Sequence, residues 1–325
     1  MTQQRAPELD PQLREALAKS AEIAAALPAP EAGIAGVRRN FDLGRKYWNE
    51  GGPEDVERVE LSIAGPSRDA PVVMYRPRGV PSGTASGLLP VFVYLHGGGF
   101  RLGSPGSNDR QMREIAKGWG GVVISADYLH VPEHVFPSAV DETAAVLQWL
   151  HDNPAALGID GDRIALGGSS AGAVVAFGAA VALGGVPWLR AAVGIVGAFS
   201  VDTSLESMRL YGDVGLYPDA ASVVPMFNNY VPDPALRDDP RANLLAADAK
   251  LLPPTFLAAA EFDVFRDASA AMAHRLDGAG RLHAFKIYPA MGHLFFGMSR
   301  SVDRAAECVR DVTGFLVNQL PCTEA

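Results

Sequence analysis

Apolar positions along this chain fall into two alternating rhythms. Short continuous apolar runs recur at residues 91–95, 122–126, 164–167, 191–196, 255–260 and 284–288. Unbroken runs of that length predict strands buried on both faces. Between them, at 110–117, 140–151, 171–183, 269–278 and 302–320, the pattern predicts helices. Strand and helix alternating at this interval predict an α/β domain with a mostly parallel sheet of about eight strands and helices on both faces. Two earlier strands, at 56–63 and 72–75, are joined by a turn near Gly65-Pro66 and are expected to be antiparallel.

Two stretches stand outside the alternation. Asp10-Pro11 reads as a helix start, with Asp10 as cap and Pro11 in the first turn. Leu13, Leu17, Ala24 and Leu27 follow at helical spacing until Pro28 and Pro30. A second helix is expected over 34–48, carrying Val37, Phe41 and Trp48, before the Gly51-Gly52-Pro53 break. A Pro/Ser/Gly-rich loop at 79–87 leads into the core. Later, residues 201–245 interrupt the strand–helix rhythm with an insertion holding Met208, Leu210, Tyr211, Leu216, Tyr217, Met226, Phe227 and Tyr230. The expected division is a helical segment at 1–52, a main domain at 53–200 and 246–325, and the insertion at 201–245.

Bulk properties narrow the function. A chain of 325 residues is long enough for one large domain with a modest cap. The net charge is −9 with no basic cluster, which argues against nucleic acid and weakly favours neutral over anionic substrates. The two cysteines, Cys308 and Cys322, have no metal-ligand spacing and read as ordinary thiols of a reducing compartment. The first ten residues lack a charged start followed by an apolar core, and no run approaches a membrane span. A cytoplasmic protein without a membrane partner is expected.

The chemistry concentrates at the ends of the expected strands. Gly168-Ser169-Ser170-Ala171-Gly172 lies between a strand and a helix of small residues. A serine on so tight a turn has its hydroxyl pushed clear of the backbone, beside the unpaired N–H groups of a helix start. Ser170 is therefore the candidate nucleophile. His96-Gly97-Gly98-Gly99-Phe100 follows the strand at 91–95, and uncovered N–H groups in such a loop can face an oxyanion. A phosphate-binding loop is not supported, because neither a following Lys-Ser/Thr nor a Gly-x-Gly-x-x-Gly spacing is present. His96 is expected to brace the loop. Asp263 and His293 each follow a further strand, where sites of open α/β sheets assemble. Asp267, His274 and His283 are the rivals. Asp267 sits in a helix start, His274 lies mid-helix and His283 opens a strand, so packing or surface roles suit them better. Glu133-His134 has no second ligand pair and is expected to be structural.

Together these motifs resemble the hormone-sensitive-lipase family of α/β-hydrolase esterases, which carries His-Gly-Gly-Gly, a Gly-x-Ser-Ala-Gly elbow, and Asp and His segments in this order. The stretch Asp127-Tyr128-Leu129-His130-Val131-Pro132-Glu133-His134-Val135-Phe136-Pro137-Ser138-Ala139 is similar to the family's Asp-Tyr-Arg-Leu-Ala-Pro-Glu-His-x-Phe-Pro-Ala. Two positions depart. Ser169 stands where the family usually has Asp, Glu or Thr, and Leu129 stands where it has Arg. The resemblance implies an α/β-hydrolase fold in which the N-terminal helices and the insertion form a cap. It implies hydrolysis of small-molecule carboxylic esters through an acyl-enzyme. Ser170 would attack, His293 act as base and Asp263 orient it, with the N–H groups of Gly98, Gly99 and Ala171 holding the oxyanion. No metal or organic cofactor is called for. Phe100, Tyr211, Met226, Phe227 and Leu294 are the expected pocket residues, suited to short or medium acyl groups. Amide or thioester hydrolysis and acyl transfer share the same triad and stay open. A purely ligand-binding relative is disfavoured by the intact triad. The edge of the last strand offers a place for a second copy to pair.

Overall fold

The computed structural model describes residues 7–79 and 88–322. The chain opens with α1 (Pro11–Ala26) and α2 (Ile34–Asn49), followed by β1 (Val56–Ala64), β2 (Asp69–Pro77) and β3 (Leu89–Leu95). Next come α3 (Asp109–Trp119), β4 (Val122–Ala126), α4 (Ser138–Asp152) and the short α5 (Pro154–Leu157). The central part holds β5 (Ile159–Ser169), α6 (Ala171–Ala182), β6 (Leu189–Ile195), α7 (Glu206–Tyr211) and α8 (Ala220–Tyr230). The last elements are β7 (Thr255–Phe262), α9 (Arg266–Gly278), β8 (Leu282–Gly292) and α10 (Asp303–Gln319). Most of the expected loop at 79–87, and residues 1–6 of the polar start, lie outside the described residues.

Side-chain alternation on the strands generates the layers. All seven residues of β3 are buried. Leu89, Val91, Val93 and Leu95 point into one apolar cluster, and Phe92 and Tyr94 into the other. A strand apolar at every position therefore needs cover on both faces. One face is covered by α4, α6 and α9, the other by α3 and α10. The sheet has eight strands in the order β1-β2-β4-β3-β5-β6-β7-β8. β1–β2 and β2–β4 pair antiparallel, and β4 through β8 run parallel. This is the mostly parallel sheet that the pattern predicts.

Local signals explain the element boundaries. The Asp10 carboxylate accepts the N–H of Gln12 at 2.8 Å and of Leu13 at 3.4 Å, with Pro11 in the first turn. α6 is buried from Ala171 to Val181, an apolar helix on all sides that only a fully enclosed position accommodates. β5 begins five residues before the apolar run, because Ile159 pairs with Leu89 while Asp160 and Asp162 mask the pattern. β8 runs past both ends of its apolar stretch, since an edge strand carries polar residues freely.

Among the described residues no helix is long and apolar enough to cross a membrane. Cys308 and Cys322 are buried free thiols, and burial pushes the Cys308 thiol up to about 12. A thiol held in that form is unreactive at neutral pH.

A tight constraint lies where α6 meets β3. A Cβ on Gly172 would sit 2.3 Å from the Leu95 carbonyl oxygen and 2.4 Å from that of His96. Backbone on both sides leaves no flexible atom to move. Gly172→Ala should cost about 2 kcal/mol or more, as overpacking of a closed site does. A urea midpoint equal to that of the wild type would show that the helix can retreat.

Candidate active site

Ser170 is the junction of β5 and α6, with φ 54° and ψ −120°. For a residue with a Cβ this is strained backbone, costing about 1–3 kcal/mol. It is held there by the bond from its N–H to the Ile195 carbonyl at 2.9 Å and by the close approach of Gly172 to β3. The result projects Oγ beyond the sheet. His293 directly follows β8 and places Nε2 2.8 Å from Ser170 Oγ. Its Nδ1 lies 2.8 Å from Asp263 Oδ2. Asp263 directly follows β7, and its other oxygen accepts the Phe265 N–H at 3.0 Å. Both side chains are buried, Asp263 to 1 % exposure and His293 to 6 %. A buried carboxylate on Nδ1 fixes the tautomer that leaves the Nε2 lone pair facing the serine hydroxyl.

The rivals lie elsewhere. Asp267 accepts the Ser207 N–H at 2.8 Å and pairs with Arg266 at 2.9 Å, joining α9 to α7. His274 is exposed, and His283 is exposed beside the Phe315 ring at 4.9 Å.

The glycine loop leaves β3 beside this constellation. Gly98 has φ 136° and Gly99 φ 61°, and a Cβ on Gly98 would lie 2.0 Å from the Leu102 carbonyl oxygen. The Gly98 carbonyl accepts from the N–H groups of Arg101 at 3.2 Å and Leu102 at 3.0 Å, closing the loop on itself. The N–H groups of Gly98, Gly99 and Ala171 have no backbone acceptor among the described residues. Three donors without such partners near one hydroxyl suit a developing negative charge.

Behind the loop stands a brace. His96 is fully buried, with Nδ1 2.9 Å from the Gly97 carbonyl, Nε2 3.4 Å from Asp127 Oδ1, and its ring stacked on Tyr128. The Tyr128 hydroxyl donates to the His96 carbonyl at 3.0 Å. His96, Asp127 and His130 bring one ligand atom each within 4.8 Å of one another. The second oxygen of Asp127 accepts from Arg68 at 3.1 Å. Burial alone would push Asp127 up, but the His96 bond and the field of the groups around it, Arg68 among them, hold it below the usual carboxylate range. Burial, then the neighbouring His96, pushes His130 down to about 4, so it is neutral at physiological pH.

Glu133 stands in a clamp. Arg38 of α2 donates to its two oxygens at 2.8 and 2.7 Å, to the Val131 carbonyl at 2.9 Å and to the Arg101 carbonyl at 2.9 Å. The Arg38 bond holds the Glu133 carboxyl well down, at about 2. One guanidinium thus ties the N-terminal helices to both loops that frame the site.

At the position before the nucleophile, Ser169 Oγ lies 2.8 Å from the Tyr94 hydroxyl, which also reaches Asn108 Oδ1 at 3.2 Å. Burial raises Tyr94 well above its ordinary value, so it keeps its proton. Neutral groups therefore fill the place where the resembling family usually puts an acid.

A cavity of about 460 Å³ opens over Ser170 and His293. Of the five expected pocket residues, Met226 and Leu294 line it. The other three pack elsewhere. Phe100 is buried and stacked on Tyr230 at 3.9 Å, and Phe227 meets the same ring edge-on at 6.2 Å. Tyr211 lies against Phe262 at 5.6 Å and accepts from Arg266 at 3.0 Å. The Phe100–Tyr230 and Tyr211–Phe262 contacts join the insertion to the body, and Phe227 packs against the same buried cluster beneath. Tyr217, one of the apolar residues singled out in the insertion, also lines it, whereas Phe41, Arg45 and Trp48 of α2 were not anticipated there. The three α2 residues recur four and three residues apart along one helix face, and that spacing was the available signal.

A strand–serine–helix elbow, with its acid and histidine following the next strands and a glycine loop alongside, defines an α/β hydrolase. Residues 92–297 match the profile of a family described by the alpha/beta hydrolase fold. The chain belongs to that family, the hormone-sensitive-lipase type of carboxylesterases, and is a carboxylic ester hydrolase of the serine class. Among solved structures it is similar to an ester-hydrolase from the metagenome of Lake Arreo, solved with a derivative of bipyridine phosphonate. Identity is 29%, the TM-score is 0.84, and the match covers 95% of this chain and 98% of that one. A hyperthermophilic esterase from the archaeon Pyrobaculum calidifontis matches at 29% identity and TM-score 0.83, over 95% and 98% of the two chains. A thermostable esterase from Pseudomonas putida matches at 25% identity and TM-score 0.84, over 97% and 99%.

The Arg38 clamp makes a prediction. Arg38→Ala should lower kcat/KM several-fold and raise amide exchange in α2, with a global stability loss of about 1–2 kcal/mol, since charge-assisted bonds to part-buried partners are lost. Unchanged exchange in α2 would show that apolar packing alone seats the helix.

Proposed function

We propose that the protein hydrolyses short- to medium-chain carboxylic esters through an acyl-enzyme, with Ser170 as nucleophile, His293 as general acid–base and Asp263 as its orienting partner. The observation that carries this reading is the unbroken line of two 2.8 Å contacts from Asp263 through His293 to Ser170 Oγ. Ser170 Oγ attacks the ester carbonyl as its proton passes to His293 Nε2. The tetrahedral oxyanion is held by the N–H groups of Gly98, Gly99 and Ala171, each worth about 10²–10³ in turnover. His293 returns the proton to the leaving alcohol oxygen as the carbon–oxygen bond breaks. A water that gives its proton to His293 then releases the acid and regenerates the serine.

Residues 1–52 and 201–245 act in this reading as the cap over the site. Support comes from the cavity itself, whose walls include Phe41 and Trp48 from the first segment and Tyr217 and Met226 from the second. A space of about 460 Å³ under such a cover suits short and medium acyl chains better than a long-chain triglyceride. The same reading pairs two copies along β8, an edge strand exposing Ile287 to 42 %.

p-Nitrophenyl esters of increasing acyl length test the chemistry. Wild type should turn over butanoate and hexanoate best and fall away toward palmitate. Ser170→Ala should lose nearly all activity while folding normally, and Asp263→Asn should lower kcat about 10³–10⁴-fold by spoiling the tautomer. Folded wild type inert on every ester would sink the proposal. Light scattering after size exclusion tests the pairing, for which a monomer at micromolar concentration is the contrary result.

A further inference from the structure

Among the described residues, Arg45 is the one permanently charged side chain lining the cavity over Ser170. It lies on α2, one turn from Phe41 and one from Trp48, which line the same space. Its Nε donates to the Ser107 carbonyl at 2.8 Å and one terminal nitrogen, Nη2, to the Gly297 carbonyl at 2.8 Å. Both acceptors are neutral. Among the described residues no aspartate or glutamate lines the cavity. The nearby Tyr94 phenol, raised well above its ordinary value by burial, keeps its proton and offers no negative charge.

Such an arrangement is costly in the free protein. A buried cation without a counter-charge loses hydration that two carbonyls restore only in part. Arg45 keeps some accessible surface, yet the protein around it pushes its pKa down to about 10 by burial. It remains charged at neutral pH. The two carbonyls hold the planar fork still while leaving Nη1 without a hydrogen-bond acceptor among the described residues. A fixed guanidinium with a free edge, facing a mostly apolar space, is a preorganised site for a planar anion. One cation balances one negative charge, which fits a carboxylate and underserves a phosphate dianion.

We propose that Arg45 binds a carboxylate on the substrate, so that the preferred esters carry a free carboxylate in addition to the scissile bond. The proposal rests on the esterase reading of Ser170. Half-esters of dicarboxylic acids would bring the carboxylate on the acyl side, and esters of acidic phenols or hydroxy acids on the alcohol side. The local field of Arg45 reverses, inside the cavity, the preference for neutral substrates that the overall net charge of −9 favours.

Two matched pairs of esters test it. One pair is mono-p-nitrophenyl adipate and its methyl ester; the other is p-carboxyphenyl butanoate and its methyl ester. For each pair the reading is the ratio of kcat/KM, charged over neutral. In wild type at least one ratio should reach unity or exceed it. Arg45→Gln should lower that ratio about tenfold or more, mainly through KM, as loss of a charge-assisted contact does. Arg45→Lys should restore part of it. The pair that responds identifies the side of the ester that carries the carboxylate. Ratios equal in wild type and Arg45→Gln would overturn the proposal. If Arg45→Gln does not fold, a tenfold or greater preference of wild type for the neutral ester in both pairs overturns it, and a ratio at or above unity in either pair supports it. Turnover of neutral esters in these assays leaves the esterase reading standing whatever Arg45 does. Failure of all four substrates with folded wild type sinks that reading and this one with it.

Discussion

Everything in the site hangs on how closely one helix end approaches one strand end. α6 enters so near β3 that Gly172 has backbone carbonyls on two sides where a Cβ would stand. That approach forces the turn between β5 and α6 to be sharp, and the sharpness puts Ser170 in the left-handed region with its hydroxyl outward. The helix N-terminus then lies beside the hydroxyl, with the glycine loop of β3 on the other flank. Strain at Ser170 is sustained because the surrounding sheet, buried on both faces, leaves no room for relaxation.

The other partners reach Ser170 through sheet order. β5 is followed in the sheet by β6, β7 and β8, so the acid and the histidine approach from one side and the glycine loop from the other. Each polar residue sits one step beyond a parallel strand, where side chains leave the core without burying unpaired groups. The cover is attached differently. Arg38 joins α2 to three loop positions by polar contacts, while Phe100 and Phe136 of the body hold Tyr230 of the insertion by ring contacts. Body and cover are thus held by distinct chemistry, a charge-assisted clamp on one side and aromatic packing on the other.

How far the chain could be read in advance follows from the range of each interaction. Ser170, Asp263 and His293 were legible because each lies in a local strand-to-loop pattern, and the pattern alone carries its position. Met226 and Leu294 were found in the cavity wall, but Phe100, Tyr211 and Phe227 were not, since a bulky residue in a loop or short helix can face either the space above or the core below. Only the docking of the insertion decides between them. Arg45 was illegible for the opposite reason. In a helix with Arg38, Arg39 and Lys46 it looks like one more solvated charge, and only the contacts to Ser107 and Gly297, distant in sequence, enclose it. The start of β5 was hidden by Asp160 and Asp162, whose turn-like composition yields to pairing with β3.

The place of β8 at the rim of the sheet has a thermal consequence. Among the described residues β7 is its only strand partner, and much of its length is half-exposed. Ser170, by contrast, is anchored between β5 and the fully enclosed α6. Rim strands open at lower free energy than central ones. On warming, the exposed first half of β8 is expected to loosen before the interior does, while the buried turn at Met291, Gly292 and His293 keeps the histidine on Ser170 until that loosening reaches it.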